Sequence, residues 1–281
     1  MSTLYLVATP IGNLADITLR AIEVLKSVSL IAAEDTRVTQ KLLNHYQIHQ
    51  RLISLYDQNE TRRIPLLLAA LEQGDVALVS DSGTPALNDP GYELVNATIQ
   101  AGHRISPIPG PCAPIAALVA SGLPTDRFLY LGFLPRKSTE LKRSLENISA
   151  LSYTLVFLEA PHRLLKTLRL LHQVLGDRRV VVARELTKLH EEFWRGTLSQ
   201  AIEHFGSDKP RGEITLVIEG SHPSPLKWDE HRLIEAIRQR LFVGTNLKEL
   251  AQQLADESGW NSREIYQKAS QLRQASKENP T

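Results

Sequence analysis

The sequence has 281 residues and a single cysteine, Cys112. One cysteine cannot form an internal disulfide or supply a cysteine-based zinc cluster, and it suits a reducing compartment. No segment approaches the roughly 20 apolar residues that a membrane-spanning helix needs. The first residues also lack the basic stretch of a secretion signal. We therefore expect a cytoplasmic protein that is neither secreted nor embedded in a membrane.

The sequence also lacks an excess of either charge, with 32 Lys and Arg against 31 Asp and Glu. A general nucleic-acid binder shows a basic surplus, so any contact with RNA has to be local. Four basic pairs could supply such contacts, although each could equally belong to a solvated charged face. These pairs are Arg62-Arg63, Arg136-Lys137, Lys142-Arg143 and Arg178-Arg179.

Several motifs of common enzyme classes are absent. The first predicted strand is not followed by Gly-x-Gly-x-x-Gly, and no Gly-x-x-x-x-Gly-Lys-Ser/Thr loop occurs. The nine histidines form no His-x-x-x-His or His-plus-Cys cluster. A Gly-x-Ser-x-Gly elbow is also missing, so a hydrolase triad has no local support. We expect no metal site.

What is present in the first half is an alternation of short apolar runs with amphipathic stretches, typical of βαβ units around a mainly parallel sheet. The predicted strands are Leu4–Ala8, Leu30–Ala33, Leu52–Leu55, Val76–Ser80 and Ile105–Ile108. The predicted crossover helices are Thr18–Ser27, Val38–Tyr46, Arg62–Gln73 and Tyr92–Ala101.

Prolines interrupt the pattern near Gly122 and again at Pro135, where we expect the link to a second domain. Its predicted strands are Phe128–Leu131, Thr154–Leu158, Val180–Arg184, Glu192–Gly196 and Ile214–Ile218, with some antiparallel pairing. Its predicted helices are Glu140–Asn147, Leu164–Val174 and Leu198–Phe205, and a tail follows with helices at Asp229–Arg240, Leu247–Glu257 and Ser262–Gln274. We predict two α/β domains, 1–122 and 123–222, and a small helical domain, 223–281.

Three loops of the first domain combine small residues with proline and glycine. They are Thr9–Asp16, Ser80–Gly91 and Ile108–Pro114. Each follows a predicted parallel strand, at the edge of the sheet where ligands of open α/β folds bind. Each could also be a plain connecting turn, but the length of the second loop favours a function.

Three segments of the second domain carry most of its unusual polar residues: Phe157–Arg163, Ala183–Lys188 and Pro210–Ile214. A single carboxylate at a strand end is usually a solvated cap or one member of an ion pair. Three such clusters in one domain favour a site.

The loop sequences resemble a known family. The phrases Ala-Thr-Pro-Ile-Gly-Asn-Leu-Ala-Asp-Ile-Thr, Ala-Glu-Asp-Thr-Arg, Ser-Asp-Ser-Gly-Thr-Pro, Asp-Pro-Gly, Pro-Gly-Pro and Ala-Arg-Glu-Leu-Thr-Lys occur in the order typical of the tetrapyrrole-methylase superfamily, in its ribosomal RNA small-subunit methyltransferase I branch. The resemblance runs from about Tyr5 to Glu219, and the helical tail resembles the small helix-turn-helix-like domain of these enzymes. Tetrapyrrole methylases usually carry Gly-Gly-Asp-Pro where this chain has Asp81-Ser82-Gly83-Thr84, as its branch does.

The resemblance implies two α/β domains with an S-adenosyl-L-methionine cleft between them, a homodimer, and transfer of a methyl group to a cytidine ribose 2′-hydroxyl of 16S ribosomal RNA in the small subunit. The expected cofactor-binding residues are Pro10, Gly12, Asp81, Ser82, Gly83, Ala86, Leu87, Ala113, Leu158, Glu159 and Gly212. For the general base we predict Glu185, with Lys188 either tuning it or acting itself if burial lowers its pKa. We expect Asn13, Arg37 and Arg184 to position the nucleotide.

Two other functions stay open. One is a small-molecule methylase of the tetrapyrrole type, and the other is a ribosome-assembly factor that binds RNA without catalysis. A pure RNA binder would not need three glycine- and proline-rich loops that converge on a cleft.

Overall fold

A computed structural model describes residues 1–207, 210–221, 228–242 and 245–278. The chain divides into two compact units, Met1–Gly220 and Ser221–Thr281. The first unit contains two α/β halves and the second is helical, which confirms the predicted fold class. The predicted boundary between residues 222 and 223 lies outside the described residues.

The first half is built on a five-stranded parallel sheet. Its strands are β1 (Thr3–Val7), β2 (Leu30–Ala33), β3 (Leu52–Ser54), β4 (Val76–Val79) and β5 (Arg104–Ile108). Their spatial order is β3-β2-β4-β1-β5, so β1 and β4 lie centrally and all strands end at the same edge. The residues of β2 and β4 are buried on both faces, as expected for a sheet covered by helices on each side.

Four helices cross over between these strands: α1 (Leu19–Ser27), α2 (Thr36–His45), α3 (Glu60–Leu71) and α4 (Tyr92–Gln100). A fifth helix, α5 (Ala113–Ser121), follows β5. The start of α1 is capped by Thr18, whose hydroxyl accepts from the Ala21 amide at 3.1 Å. The start of α2 is capped by Asp35, so this helix begins two residues before the predicted Val38.

The second half carries a mixed sheet in the order β6-β7-β10-β8-β9. Its strands are β6 (Phe128–Phe133), β7 (Thr154–Glu159), β8 (Arg179–Arg184), β9 (Glu192–Thr197) and β10 (Ile214–Ile218). Only β6 and β7 are parallel; β10 runs antiparallel to β7 and β8, and β9 runs antiparallel to β8. The helices α6 (Ser138–Ile148), α7 (Leu164–Leu175) and α8 (Leu198–Ser207) accompany this sheet. The predicted antiparallel pairing is confirmed.

Helix α5 joins the two halves. It follows β5 of the first sheet but packs against β7, β8 and β10 of the second. Ala117 and Leu118 share one buried apolar cluster with Val156 and Val217 of that sheet, and Ile11 of the first half is part of the same cluster. The sequence does not predict this helix, because the segment is apolar around most of its circumference and shows no amphipathic periodicity.

Arg195 of β9 adds a polar contact to the end of α5. Its guanidinium donates to the carbonyls of Ala120 at 2.6 Å and Ser121 at 3.3 Å. Carbonyls in the last turn of a helix lack partners within the helix, and a cation there is favourable. The second sheet therefore caps α5 as well as covering it.

The C-terminal unit contains α9 (Glu230–Phe242), α10 (Leu247–Ser258) and α11 (Ser262–Glu278). These helices enclose their own apolar core, with Leu233, Ile237, Leu250, Leu254 and Ile265 all fully buried. The Trp260 indole N–H donates to the Trp228 carbonyl at 2.7 Å. Within the described residues, no helix of the chain has the length and apolar character needed to cross a membrane.

We predict that Leu118→Ala lowers the free energy of unfolding by about 2–5 kcal/mol, because it opens a cavity where α5 meets the second sheet. Val119→Ala, one residue further along the same helix, should stay within about 0.5 kcal/mol, since this side chain is 68% exposed. Urea unfolding of both variants measures the difference. Equal losses would show that α5 does not carry the contact between the halves.

Candidate active site

A cavity of about 430 Å³ lies between the two α/β halves, at the carboxyl ends of the parallel strands. Both halves contribute to it: the loops after β1, β2, β4 and β5 face the ends of β6 and β7 and the segment before β10. We call it the first cavity. It is lined by Ile11, Glu34, Asp81, Ser82, Gly83, Thr84, Leu87, Asn88, Asp89, Cys112, Ala113, Pro114, Tyr130, Phe133, Leu158, Glu159, Ala160, Pro161, Gly212, Glu213, Ile214 and Thr215.

The loop after β1 and the loop after β4 are joined by backbone hydrogen bonds. The Thr9 amide donates to the Gly83 carbonyl at 2.8 Å, and the Gly83 amide donates to the Thr9 carbonyl at 3.1 Å. Gly83 has a φ of 86°, a conformation that residues with a side chain rarely adopt. Thr84 extends the link, because its hydroxyl donates to the Pro111 carbonyl of the third loop at 3.2 Å.

Of the five acidic residues in the lining of the first cavity, three come from the first half: Glu34, Asp81 and Asp89. Burial raises the pKa of Glu34 and the pKa of Asp81. Burial, together with the nearby charge of Glu34, raises the pKa of Asp89 to about 6. Because carboxylates that share a partly buried space disfavour one another's charge, this arrangement favours a positively charged ligand.

Tyr130 brings a hydroxyl to the same wall. Its oxygen is buried and has no hydrogen-bond partner within the described part of the chain. Burial raises the pKa of Tyr130 to about 12, so the hydroxyl keeps its proton at neutral pH. A buried, unpartnered donor in a cavity wall is costly unless a ligand satisfies it.

Most of the predicted cofactor residues line the first cavity: Asp81, Ser82, Gly83, Leu87, Ala113, Leu158, Glu159 and Gly212. Pro10 and Gly12 instead line a neighbouring cavity of about 340 Å³, which we call the second cavity. Ala86 belongs to neither lining and has a φ of 63°. Cofactor contact by any of these residues stays a prediction.

Sequence reasoning missed other residues of this wall, above all Glu34, Asp89 and Tyr130. Glu34 and Asp89 both stand in phrases that carried the resemblance, so their position after a strand could have marked them. Tyr130 lies inside β6, where an aromatic residue reads as ordinary strand sequence.

Glu159 lines the cavity, but its carboxylate forms hydrogen bonds and an ion pair with residues of the second half. One oxygen accepts from the Thr167 hydroxyl at 2.5 Å and the other from the Ala160 amide at 2.8 Å. The Arg163 guanidinium lies 3.4 Å from the same carboxylate. These contacts fix the start of α7 and leave Glu159 little capacity for a ligand.

Glu185 and Lys188 lie beside the first cavity and outside its lining. Oε1 of Glu185 accepts from Nζ of Lys188 and from the Glu213 amide, both at 3.0 Å. The hydrogen bond from Lys188 lowers the pKa of Glu185, which weakens it as a base. Burial alone would lower the pKa of Lys188, but the bond to Glu185 and the charge of Glu213 raise it. The pKa of Lys188 is thus raised and not lowered, and a role for Lys188 as the base stays a prediction.

Glu185 instead holds the segment that lines the cavity. Its own amide donates to the Glu213 carbonyl at 3.1 Å, so Glu185 binds both the carbonyl and the amide of Glu213. Gly212 has a φ of 84°, and a Cβ there would collide with the Glu185 carboxylate. This geometry favours a positioning role for Glu185.

The three residues expected to position a nucleotide each have a local partner. Asn13 caps a single turn of 3-10 helix, Leu14–Asp16, by accepting from the Ala15 amide at 3.1 Å. Arg37 pairs with Asp35 at 2.6 Å while its side chain stays 87% exposed. Arg184 pairs with Glu192 across β8 and β9 at 2.5 Å.

One of the predicted basic pairs, Arg178-Arg179, makes its contacts within the protein. Arg178 donates to the carbonyls of Ser149 at 2.5 Å and Leu175 at 3.0 Å. Arg179 forms an ion pair with Glu219. These contacts tie the start of β8 to its neighbours and favour a structural role over RNA contact.

Within residues 1–207, 210–221, 228–242 and 245–278, no group of three or more His, Cys, Asp or Glu side chains is arranged to hold a metal ion. Glu34, Asp81 and Asp89 of the first cavity are therefore not arranged as a set of metal ligands.

Comparison with known proteins decides the family. Residues 3–202 match the model of the Tetrapyrrole (Corrin/Porphyrin) Methylases. The chain belongs to the tetrapyrrole methylase family. A relative from Synechocystis named ribosomal RNA small subunit methyltransferase I is 48% identical over 275 residues, covering 97% of this chain and 99% of the relative. One of the same name from Escherichia coli O157:H7 is 52% identical over 221 residues, 77% of each chain.

Solved structures of other tetrapyrrole methylases share the fold. A cobalt precorrin-4 methyltransferase superposes with a TM-score of 0.57 at 17% identity, covering 77% of this chain and 94% of that chain. A uroporphyrin III C-methyltransferase from Thermus thermophilus gives 0.54 at 18% identity, covering 77% and 97%. The resemblance inferred from the loop motifs is confirmed.

We predict that Gly212→Ala lowers the free energy of unfolding of this tetrapyrrole methylase. The loss should exceed that of a glycine-to-alanine change at a position where only backbone strain opposes the new side chain. Gly102→Ala is the control, because Gly102 has a φ of 78° and nothing lies within 4 Å of its added Cβ. Strain alone should cost about 1 kcal/mol, and the collision with Glu185 about 1–2 kcal/mol more.

The excess should disappear when Gly212→Ala is made in a Glu185→Ala background, because the obstructing carboxylate is then gone. Chemical denaturation of the single and double variants measures it. An excess that persists without Glu185 would mean that this carboxylate does not abut Gly212.

Proposed function

We propose that this chain transfers a methyl group from S-adenosyl-L-methionine to 16S ribosomal RNA of the small ribosomal subunit. The observation that carries the proposal is the name shared by relatives 42–52% identical to the chain, ribosomal RNA small subunit methyltransferase I. We further propose a cytidine ribose 2′-hydroxyl as the acceptor, a homodimer as the assembly and the cytoplasm as the location.

The first cavity suits this cofactor in size and charge. Its volume of about 430 Å³ falls within the roughly 300–1,000 Å³ of small-molecule sites. The carboxylates of Glu34, Asp81 and Asp89 favour a sulfonium cation, and the Tyr130 hydroxyl offers a hydrogen bond. Leu87, Ala113 and Leu158 supply an apolar lining that limits hydration.

When bound, S-adenosyl-L-methionine supplies a methyl carbon whose bond to sulfur breaks, leaving a neutral thioether, as the acceptor oxygen bonds to that carbon and releases its proton. The chain has to align the acceptor, exclude water and accept this proton. A carboxylate with a raised pKa is a better proton acceptor at neutral pH than one held in an ion pair. The carboxylates that line the cavity therefore suit this role better than Glu185.

We propose that Glu185 and Lys188 support catalysis by holding Gly212 and Glu213 against the first cavity. Arg184, directly before Glu185, ties the end of β8 to β9 through its pair with Glu192. Changing Glu185 to Gln keeps an acceptor for the Glu213 amide but weakens the bond with Lys188. A positioning role predicts that this variant raises KM for the cofactor, whereas loss of a base would lower kcat at unchanged KM.

The proposed function is tested by methyl transfer from labelled cofactor to free small-subunit RNA, assembled small subunits and a tetrapyrrole precursor. We expect transfer to one of the RNA substrates, and mapping of the product should find the label on a cytidine ribose. Transfer only to the tetrapyrrole would establish the small-molecule alternative. RNA binding without transfer to any substrate would establish the assembly factor.

The charge of the first cavity predicts a pH dependence of cofactor binding. Asp89, with a raised pKa of about 6, is neutral below that pH and ionised above it. The affinity for S-adenosyl-L-methionine relative to S-adenosylhomocysteine, which lacks the sulfonium charge, should rise about tenfold between pH 5 and pH 7.5, as expected for one charge pair in a partly hydrated site.

Calorimetry with both ligands across this range makes the measurement, and Asp89→Asn should flatten the rise because the amide does not ionise. The neutral ligand is the internal control for general effects of pH. An equal rise for both ligands would argue that the carboxylates do not face the sulfur.

A further inference from the structure

The second cavity opens on the other side of the loop that follows β1. Pro10, Leu14 and Val38 give it an apolar wall, and Thr39, Lys41 and Asp81 give it polar groups. The Tyr46 hydroxyl donates to the Leu14 carbonyl at 2.5 Å, which holds the backbone of this wall in place. Leu14 and Val38 remain 41% and 39% exposed, so their side chains are accessible to a ligand in this cavity.

The two cavities meet at Asp81, which lines both. The loop after β1 forms the partition between them, with Ile11 facing the first cavity and Pro10 and Gly12 facing the second. Asp81 is held in this partition because one of its oxygens accepts from the Asp35 amide at 2.9 Å. A ligand in each cavity would therefore approach the same carboxylate.

A polar groove leads away from the second cavity along the exposed face of α2. Arg37, Gln40, Lys41 and Asn44 line this groove, and their spacing of three and four residues places them on one side of the helix. Lys41 lines both the second cavity and the groove, so the two adjoin at this side chain. No acidic side chain of the described residues forms an ion pair with Lys41.

We propose that the second cavity receives the acceptor nucleotide of the RNA and that the α2 groove holds the sugar–phosphate backbone beside it. This inference rests on the proposed function. It assigns Asp81, at the meeting point, to accept the proton of the ribose hydroxyl as the oxygen–methyl bond forms and the methyl–sulfur bond breaks.

The chemistry of the second cavity fits a nucleoside. Its volume of about 340 Å³ suits one small-molecule unit, an apolar wall can stack against a base, and a few polar groups can fix a ribose. A tetrapyrrole precursor with many carboxylates would need several cations, whereas Lys41 is the single basic residue in this lining. A nucleotide in a loop or bulge of structured RNA can be splayed out of its stack, and such a nucleotide could enter this recess.

The groove suits the backbone that enters with this nucleotide. Arg37 and Lys41 can contact phosphates, while the amides of Gln40 and Asn44, already joined at 2.9 Å, can contact sugars or base edges. Such a short basic stretch is consistent with a chain whose overall charge is only +1.

Filling the second cavity tests the assignment. Val38→Trp places a large ring in the recess, and we expect single-turnover methylation of small-subunit RNA to fall at least about 100-fold, because even small misplacement of reacting groups is costly. Affinity for S-adenosyl-L-methionine should stay within about twofold. Ile99→Trp, on the exposed face of α4 at 57% exposure, is the matched control and should leave both values unchanged.

Reversing a charge in the groove provides an independent test. Lys41→Glu should weaken RNA binding about tenfold and reduce the slope of log affinity against log salt by about one, since fewer counterions are released. Lys166→Glu, an exposed position on α7, makes the same change in net charge and should leave the affinity and the slope unchanged.

The wild-type chain separates this inference from the proposed function. If wild type methylates no small-subunit RNA, the proposed function fails. If wild type methylates but Val38→Trp is fully active, or if it loses cofactor affinity as well, the second cavity is not a separate acceptor pocket. Should Val38→Trp fail to fold, equal RNA binding by Lys41→Glu and Lys166→Glu would still overturn the proposal.

Discussion

The contact between α5 and the second sheet is the constraint on which the site depends. The first cavity has walls from both α/β halves, so its shape exists only while the halves keep one relative position. Leu118 and its buried neighbours supply the apolar contact, and Arg195 satisfies the end of the helix. The residues just before α5, Cys112 and Ala113, line the cavity, so the segment that joins the halves also forms part of the wall.

This arrangement allows the protein to keep several carboxylates in a poorly hydrated space. Each of Glu34, Asp81 and Asp89 loses stabilisation when it ionises there, and their pKa values rise accordingly. A cationic ligand reverses that cost. The site is therefore less stable without its ligand than its packing alone would suggest, which is a common property of binding sites.

Much of the fold could be predicted from the sequence because buried strands are marked by local runs of apolar residues. Leu30–Ala33 and Ile214–Ile218 were predicted with the bounds that the structure has. Helix α5 was not predicted, because even its exposed positions, such as Ile115 and Val119, are apolar and the segment shows no polar face. The start of α2 was placed late, because Asp35 was not recognised as its cap.

The site was harder to predict than the fold. Sequence reasoning located the loops, since small residues after parallel strands mark the ligand edge of a sheet. It could not show which carboxylates face one another, because Glu34 and Asp89 are far apart in the chain. Nor could it show that the Glu185 carboxylate is bound to Lys188 and the Glu213 amide, contacts that depend on the left-handed backbone of Glu185 and Gly212.

One of the two outer strands of the first sheet, β5, has a consequence for assembly. Among the described residues it pairs only with β1, and it carries Pro107, which has no amide hydrogen, and the exposed Arg104. Proline and charge on an edge strand discourage another strand from adding to the sheet, which protects a chain from growing into β-rich aggregates. Two copies of this chain would therefore associate through side chains on helices and loops rather than by extending a continuous sheet across β5.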